Sequence, residues 1–175
     1  MIANQLMKAG IQPNYTAGHS LGEYSAFVVS NVLTFEDAVQ VVHKRGLYMD
    51  EAVPAGEGAM AAILGMESPN LQQVCEDVSA TGVVAQLANL NCPGQIVISG
   101  TKEGVETACT LAKERGAKRA IPLTVSGPFH SALMNPAAEK LASVIEKVAL
   151  NAPSIPVVSN VTSTLLEDVQ AIKQE

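Results

Sequence analysis

The chain has 175 residues, 47% of them hydrophobic, which is enough to bury a core in one domain with a subdomain. A net charge of −6, with three Tyr, three Phe and no Trp, weighs against nucleic acid or an anionic membrane as the main partner. Three widely spaced cysteines (Cys75, Cys92, Cys109), with no C-x-x-C pair, weigh against a zinc or disulfide framework and read as reduced, mostly buried thiols. With no signal peptide and no apolar run of spanning length, the expected setting is the cytoplasm.

Residues 1–10 read as the back half of an amphipathic helix, with Ile2, Leu6 and Ala9 on one face. After the breaker Pro13-Asn14 comes a β-prone Tyr15-Thr16-Ala17, then Gly18-His19-Ser20-Leu21-Gly22, then a helix-competent run over 23–29. This is G-x-S-x-G between a strand and a helix, a turn that exposes a serine hydroxyl beside free helix N–H groups. The strand needs neighbours, expected from a missing segment or another chain.

Thr34-Phe35-Glu36-Asp37 is an N-cap with early acids, opening a helix to about Met49 or Ala52 with Ala38, Val41, Val42 and Leu47 on its apolar side. Pro54 and Gly56-Glu57-Gly58 break the chain. Strands over 59–64, 83–91, 95–99 and 117–125 then alternate with helices over 70–80 and 102–115. Strand-helix-strand-strand-helix-strand is the ferredoxin-like split βαβ pattern, here a subdomain over 56–125 inserted into an α/β domain of residues 1–55 and 126–175. A helix over 136–148 and a strand over 155–160 follow. The tail after Thr162 reads as the start of something cut short.

A serine attacks a thioester only if a base takes its proton, and histidine suits that task near neutral pH. His19 adjoins the serine and should point away from it. His43 sits mid-helix beside Lys44, where a structural role fits. His130, in the loop Gly127-Pro128-Phe129-His130-Ser131, is either the catalytic base or a histidine capping the next helix.

Several segments together resemble the malonyl-CoA:acyl carrier protein transacylases, in the right order over nearly the whole chain. They are the elbow with Glu23-Tyr24-Ser25-Ala26, the stretch from Lys44-Arg45-Gly46 to Ala59-Met60-Ala61-Ala62-Ile63, the hairpin Asn91-Cys92-Pro93-Gly94-Gln95, and Gly127 to Met134. The resemblance implies a hydrolase-like α/β parallel-sheet domain carrying the ferredoxin-like subdomain, with the active site in the cleft between them. It implies Ser20 as the acylated nucleophile, His130 as its base, Arg45 as partner of the malonyl carboxylate and the Leu21 N–H as half of the oxyanion hole. Phe129 would favour malonyl over methylmalonyl groups, and Asn160 would line the pocket. By residue type alone, Arg45 reads as a surface helix arginine and Asn160 equally as a strand-end residue satisfying a turn.

The implied partners are malonyl-CoA and acyl carrier protein, with no metal or other cofactor. Lys113, Arg115, Lys118 and Arg119 are candidates to meet the acidic carrier, or simply a solvated face. The family's N-terminal Gly-Gln-Gly segment and its C-terminal histidine-orienting region have no counterpart here, so the chain reads as truncated at both ends. Two other functions remain open. One is a serine hydrolase or thioesterase using Asp50, Asp77 or another acid between Ser20 and His130. The other is a non-catalytic fragment that binds the carrier protein.

Overall fold

The computed structural model describes residues 2–175. The chain is mixed α/β and divides into two compact units, Met1–Arg45 with Leu141–Glu175, and Gly46–Lys140. The second unit takes in more than residues 56–125, adding the end of a helix and the segment that carries Phe129 and His130.

The first unit holds α1 (Ile2–Lys8), β1 (Thr16–Ala17), α2 (Leu21–Val29) and the start of α3 (Phe35–Glu51). No residue of α1 is buried, and the predicted face of Ile2, Leu6 and Ala9 is exposed. The half-buried positions are Ala3 and Met7, about 100° round the helix. In α3, Thr34 caps as expected, its Oγ1 accepting from the Asp37 N–H at 3.0 Å and donating to Asp37 Oδ2 at 2.7 Å. Ala38 and Val41 are buried, but Leu47 is exposed, since six residues past Val41 it is turned about 120° off their line.

One neighbour of β1 comes from this chain, and β1 is an edge of its sheet. β1 pairs in parallel with β6 (Val157–Val158), Thr16 opposite Val157, and β6 pairs antiparallel with β7 (Leu165–Leu166). β6 is shorter than the predicted 155–160, because Ser159 already begins a turn in which its N–H donates to the Thr164 carbonyl. The tail is ordered into β7 and α7 (Val169–Gln174), capped by Asp168, which accepts from the Ala171 N–H at 2.8 Å. Phe27, Val32, Leu33, Ala38, Val157 and Leu166 form the core of this unit.

The second unit contains β2 (Gly58–Leu64), α4 (Ser68–Ser79), β3 (Ala85–Cys92), β4 (Gln95–Thr101), α5 (Lys102–Glu114) and β5 (Arg119–Pro122). Its sheet has the order β3-β4-β2-β5, every pair antiparallel. Alternation along the strands sends Ala61, Ile63, Ile96 and Ile98 to one face, where Leu71 and Val74 of α4 and Val105 and Ala108 of α5 pack on them. α4 starts two residues before the predicted helix because Pro69, in its first turn, is already set at a helical φ. β5 is only four residues long, and the Leu123 N–H that follows it still bonds the Met60 carbonyl.

α6 (Asn135–Ile145) ends three residues short of prediction, in tighter bonds from Lys147 and Val148 to the carbonyls three residues back. Of the cysteines, Cys75 is buried, Cys109 partly so and Cys92 exposed at the β3–β4 turn; all are free thiols. Among the described residues no helix is long and apolar enough to cross a membrane.

Candidate active site

Ser20 immediately precedes α2 with φ 50° and ψ −107°, outside the helical and extended regions that suit a side chain. Sequence makes that corner possible at Gly18, where a Cβ would land on the carbonyl of Gly22. The turn is closed by the Gly22 N–H on the His19 carbonyl at 2.9 Å and the Glu23 N–H on the Ser20 carbonyl at 3.2 Å. As first residue of α2, Leu21 presents an N–H with no intrahelical acceptor, at the positive end of the helix.

Arg45, ten residues into α3, reaches this corner. Its Nη2 donates to Ser20 Oγ at 2.8 Å, and its guanidinium carbon lies 5.9 Å from the centre of the Tyr24 ring. It is therefore engaged, unlike a solvated surface arginine. Asn160 meets the same corner from the turn after β6, its Oδ1 accepting from the Ser20 N–H at 3.0 Å. The group this asparagine satisfies is thus the backbone of the serine.

Glu23 and Tyr24 belong to this constellation and carried no role in the sequence reading. Glu23 is only 8% exposed, and its Oε1 accepts from the Asn160 N–H at 2.9 Å. The available signal was spacing: Glu23 shares a helix face with Ala26 and Phe27, both buried, three and four residues on. Burial pushes its carboxyl up to about 7; the Asn160 N–H opposes that shift, the neighbouring Glu175 carboxyl adds to it, and Arg45 opposes it.

The folded state therefore keeps a proton that the unfolded chain has lost, so this group costs stability as pH rises from about 4.5 to about 7. The full cost is roughly 3 kcal/mol. Urea midpoints of the wild-type chain should fall between pH 5 and pH 8, and Glu23→Gln, which cannot ionise, should flatten most of that fall. Parallel pH profiles for the two proteins would show that Glu23 is not the titrating group.

Phe129 and His130 lie in the second unit, in a loop after β5 as expected. Pro128 is fully buried and rides on the start of β2, where a Cβ at Gly58 would strike its ring. Phe129 packs on Met60, Ala62 and Val97, the sheet face away from α4 and α5. His130 is exposed with φ 59°, a left-handed backbone that histidine adopts more readily than most residues. The loop is tied by Ser131 Oγ to the Pro128 carbonyl at 2.7 Å and by the Ala132 N–H to Gln86 Oε1 at 2.7 Å. His130 lines a cleft of about 480 Å³ with Gln72, Glu76, Gln86 and Asn135.

His19 and His43 are both exposed, the latter on α3. Asp77, one acid considered for a hydrolase, is instead bound to Arg115 at 2.6 Å, which also takes Arg115 out of the basic cluster as a free charge. The Gln73 side-chain hydrogen bond, and then that pairing, hold its carboxyl below the usual range.

Over residues 2–173 the sequence matches the acyl transferase domain family. It is 58% identical over 174 residues to the malonyl CoA-acyl carrier protein transacylase of Bacillus subtilis (strain 168), covering 99% of this chain and 55% of that protein. Identity to the protein of the same name from Escherichia coli (strain K12) is 53% over 154 residues, 88% of this chain and 50% of that one. The structure of the malonyl CoA-acyl carrier protein transacylase of Coxiella burnetii aligns with a TM-score of 0.95 at 45% identity, over 99% of this chain and 55% of that one. A type II PKS acyl-carrier protein in complex with its malonyl-transacylase gives 0.95 at 45% identity, over 99% and 56%. The chain spans about half the length of the curated relatives it matches.

Proposed function

This chain belongs to the acyl transferase domain family, and on that premise we propose that it carries the malonyl-transfer chemistry of fatty acid biosynthesis. A malonyl group passes from coenzyme A to the phosphopantetheine thiol of acyl carrier protein through an ester on Ser20. The observation that most supports this reading is the Arg45 bond to Ser20 Oγ, which puts a guanidinium within one hydrogen bond of the proposed nucleophile. A carboxylate two carbons from the acylated oxygen needs such a partner, and a planar guanidinium can take it in bidentate fashion.

In the first step Ser20 Oγ attacks the thioester carbonyl while His130 accepts the hydroxyl proton. The Leu21 N–H, at the start of α2, stabilises the oxyanion of the tetrahedral intermediate. Collapse breaks the carbon–sulfur bond, and the proton on His130 goes to the departing thiolate of coenzyme A. In the second step His130 takes the proton of the carrier thiol, the thiolate attacks the Ser20 ester carbonyl, the carbon–Oγ bond breaks, and the departing Ser20 Oγ takes the proton back from His130. No step calls for a metal or redox cofactor. Phe129 would shape the pocket for an unbranched malonyl group.

In the same reading the first unit is part of a hydrolase-like α/β domain, with the ferredoxin-like subdomain over 56–125 inserted in it. The strand order β3-β4-β2-β5 supports the second assignment. Lys113, Lys118 and Arg119, all exposed, would face the acidic carrier protein, and the setting would be cytoplasmic.

Arg45→Ala should lower malonyl loading about 100-fold while leaving attack on a neutral acyl ester within about threefold, because only the malonyl group carries the charge. Arg45→Lys should recover little of the loss. Equal rates for malonyl and neutral substrates in wild type and Arg45→Ala would replace the transferase with a general serine hydrolase.

A further inference from the structure

Ser20 holds a backbone conformation that an L-residue avoids, and such conformations persist only where the surroundings enforce them. The enforcing contacts form a closed ring. The Ser20 N–H donates to Asn160 Oδ1, the Asn160 N–H donates to Glu23 Oε1, and Glu23 stands in the first turn of the helix that Ser20 begins. We propose that Glu23 is a positioning residue, whose carboxyl fixes the Asn160 turn so that the Asn160 side chain locks the Ser20 amide and aims Ser20 Oγ. The kinetic part of this rests on Ser20 being the acylated nucleophile.

The turn is stiff enough to transmit the constraint. The Thr162 N–H bonds Ser159 Oγ at 2.8 Å, the Ser163 N–H bonds the Ser159 carbonyl at 3.1 Å, and Ser163 has φ 57°. Glu175, directly after α7, clamps it, its Oε1 accepting from Ser159 Oγ and from the Val161 N–H. Asn160 is thus held at its backbone by two carboxyl groups, that of Glu23 directly and that of Glu175 through its neighbours. An acid in the first turn of a helix also gains from the dipole, but a solvent-facing side chain collects that gain without burial. Glu23 is buried and aimed at a specific N–H, so the dipole does not explain its orientation.

Dependence of Arg45 on the same geometry follows from its bond to Ser20 Oγ. If the Ser20 backbone relaxes toward an ordinary conformation, Oγ turns away and that bond is lost. The consequence falls on the rate of acylation more than on the grip for the coenzyme A thioester, because binding elsewhere on the substrate is unaffected.

The test is hydrogen exchange of the Ser20 amide in the ¹⁵N-labelled full chain, alongside the kinetics of malonyl loading. In Glu23→Ala the Ser20 amide should exchange about tenfold faster while the amides of Ala26 and Phe27 keep their protection. Loading should fall about 10- to 100-fold in kcat, with KM for malonyl-CoA unchanged within about twofold. Glu23→Gln should restore both, because its amide oxygen can accept the same Asn160 N–H. Asn160→Ala, at an exposed position, cuts the ring one link on and should reproduce the Ser20 exchange even if Glu23→Ala does not fold.

An unchanged Ser20 amide in Glu23→Ala or in Asn160→Ala overturns the proposal, as does a loss of protection spread evenly along α2. Wild-type kcat retained in Glu23→Ala overturns it too. A wild-type chain that takes up no malonyl group, with the exchange responding as described, supports the ring and refutes the nucleophile.

Discussion

Gly18→Ala should destabilise the first unit by about 3 kcal/mol or more, because a Cβ at that position would occupy the carbonyl of Gly22. Neither backbone can step aside cheaply. Gly22 is inside α2, Gly18 directly follows β1, and Ser20 between them is already held at φ 50°. Gly22→Ala is the matched control, since a Cβ there meets nothing within 4 Å and φ is not positive. Alanine is the better helix former, so that variant should be neutral or gain up to about 1 kcal/mol. Urea unfolding followed by far-UV circular dichroism reads both. Similar midpoints for the two variants would mean that the turn is looser than the close approach of residues 18 and 22 implies.

How much of this could be read from residue order follows from how local each signal is. The βαββαβ run was legible because each element carries its own period and ends at its own breaker. Pro93-Gly94 turns β3 into β4, and Thr101 caps α5 by accepting from the Gly104 N–H. The pairing of β1 with β6 was not legible, as about 140 residues separate Thr16 from Val157 and two-residue strands leave almost no pattern. β7 and α7 went unread for the same reason: Leu165-Leu166 shows no alternation, and the α7 helix is only six residues long.

The candidate site divides along the same line. Ser20 and His130 sit in distinctive local contexts and could be named from them, whereas Arg45, by residue type a surface helix arginine, is named only through the family resemblance. Asn160 could be named but its bond to the serine amide could not, because that contact depends on where two distant turns meet. Glu23 looked like an ordinary helix-initiating acid. Its spacing from Ala26 and Phe27 puts it on the apolar face of α2, but the core that buries that face is completed by Val157, Leu166 and Ile172, far away in the chain. Leu47 failed in the opposite sense, being apolar and in a helix yet pointing away from the packed side.

Ser20→Ala removes the only atom at the elbow that can form an ester, so covalent loading should vanish rather than weaken. Residual transfer, if any, should be reduced by about 10³-fold or more, since nucleophile removal in serine enzymes leaves only what binding and the oxyanion donors supply. The folded state should survive. Alanine keeps the backbone N–H bond to Asn160 Oδ1 and loses the Arg45 bond to Oγ, at a position where alanine is no worse placed than serine in that strained conformation. Comparable urea midpoints for the two proteins would establish this before any loading is read.

Intact mass of the purified 175-residue chain after brief exposure to malonyl-CoA, with Ser20→Ala alongside, is the decisive experiment. A mass increase of one malonyl group on the wild type and none on the variant is the expected outcome, and proteolysis should place the adduct on the peptide containing Ser20. An unmodified wild type that is demonstrably folded, or an adduct that persists in Ser20→Ala, would contradict Ser20 as the acyl-carrying nucleophile of this chain.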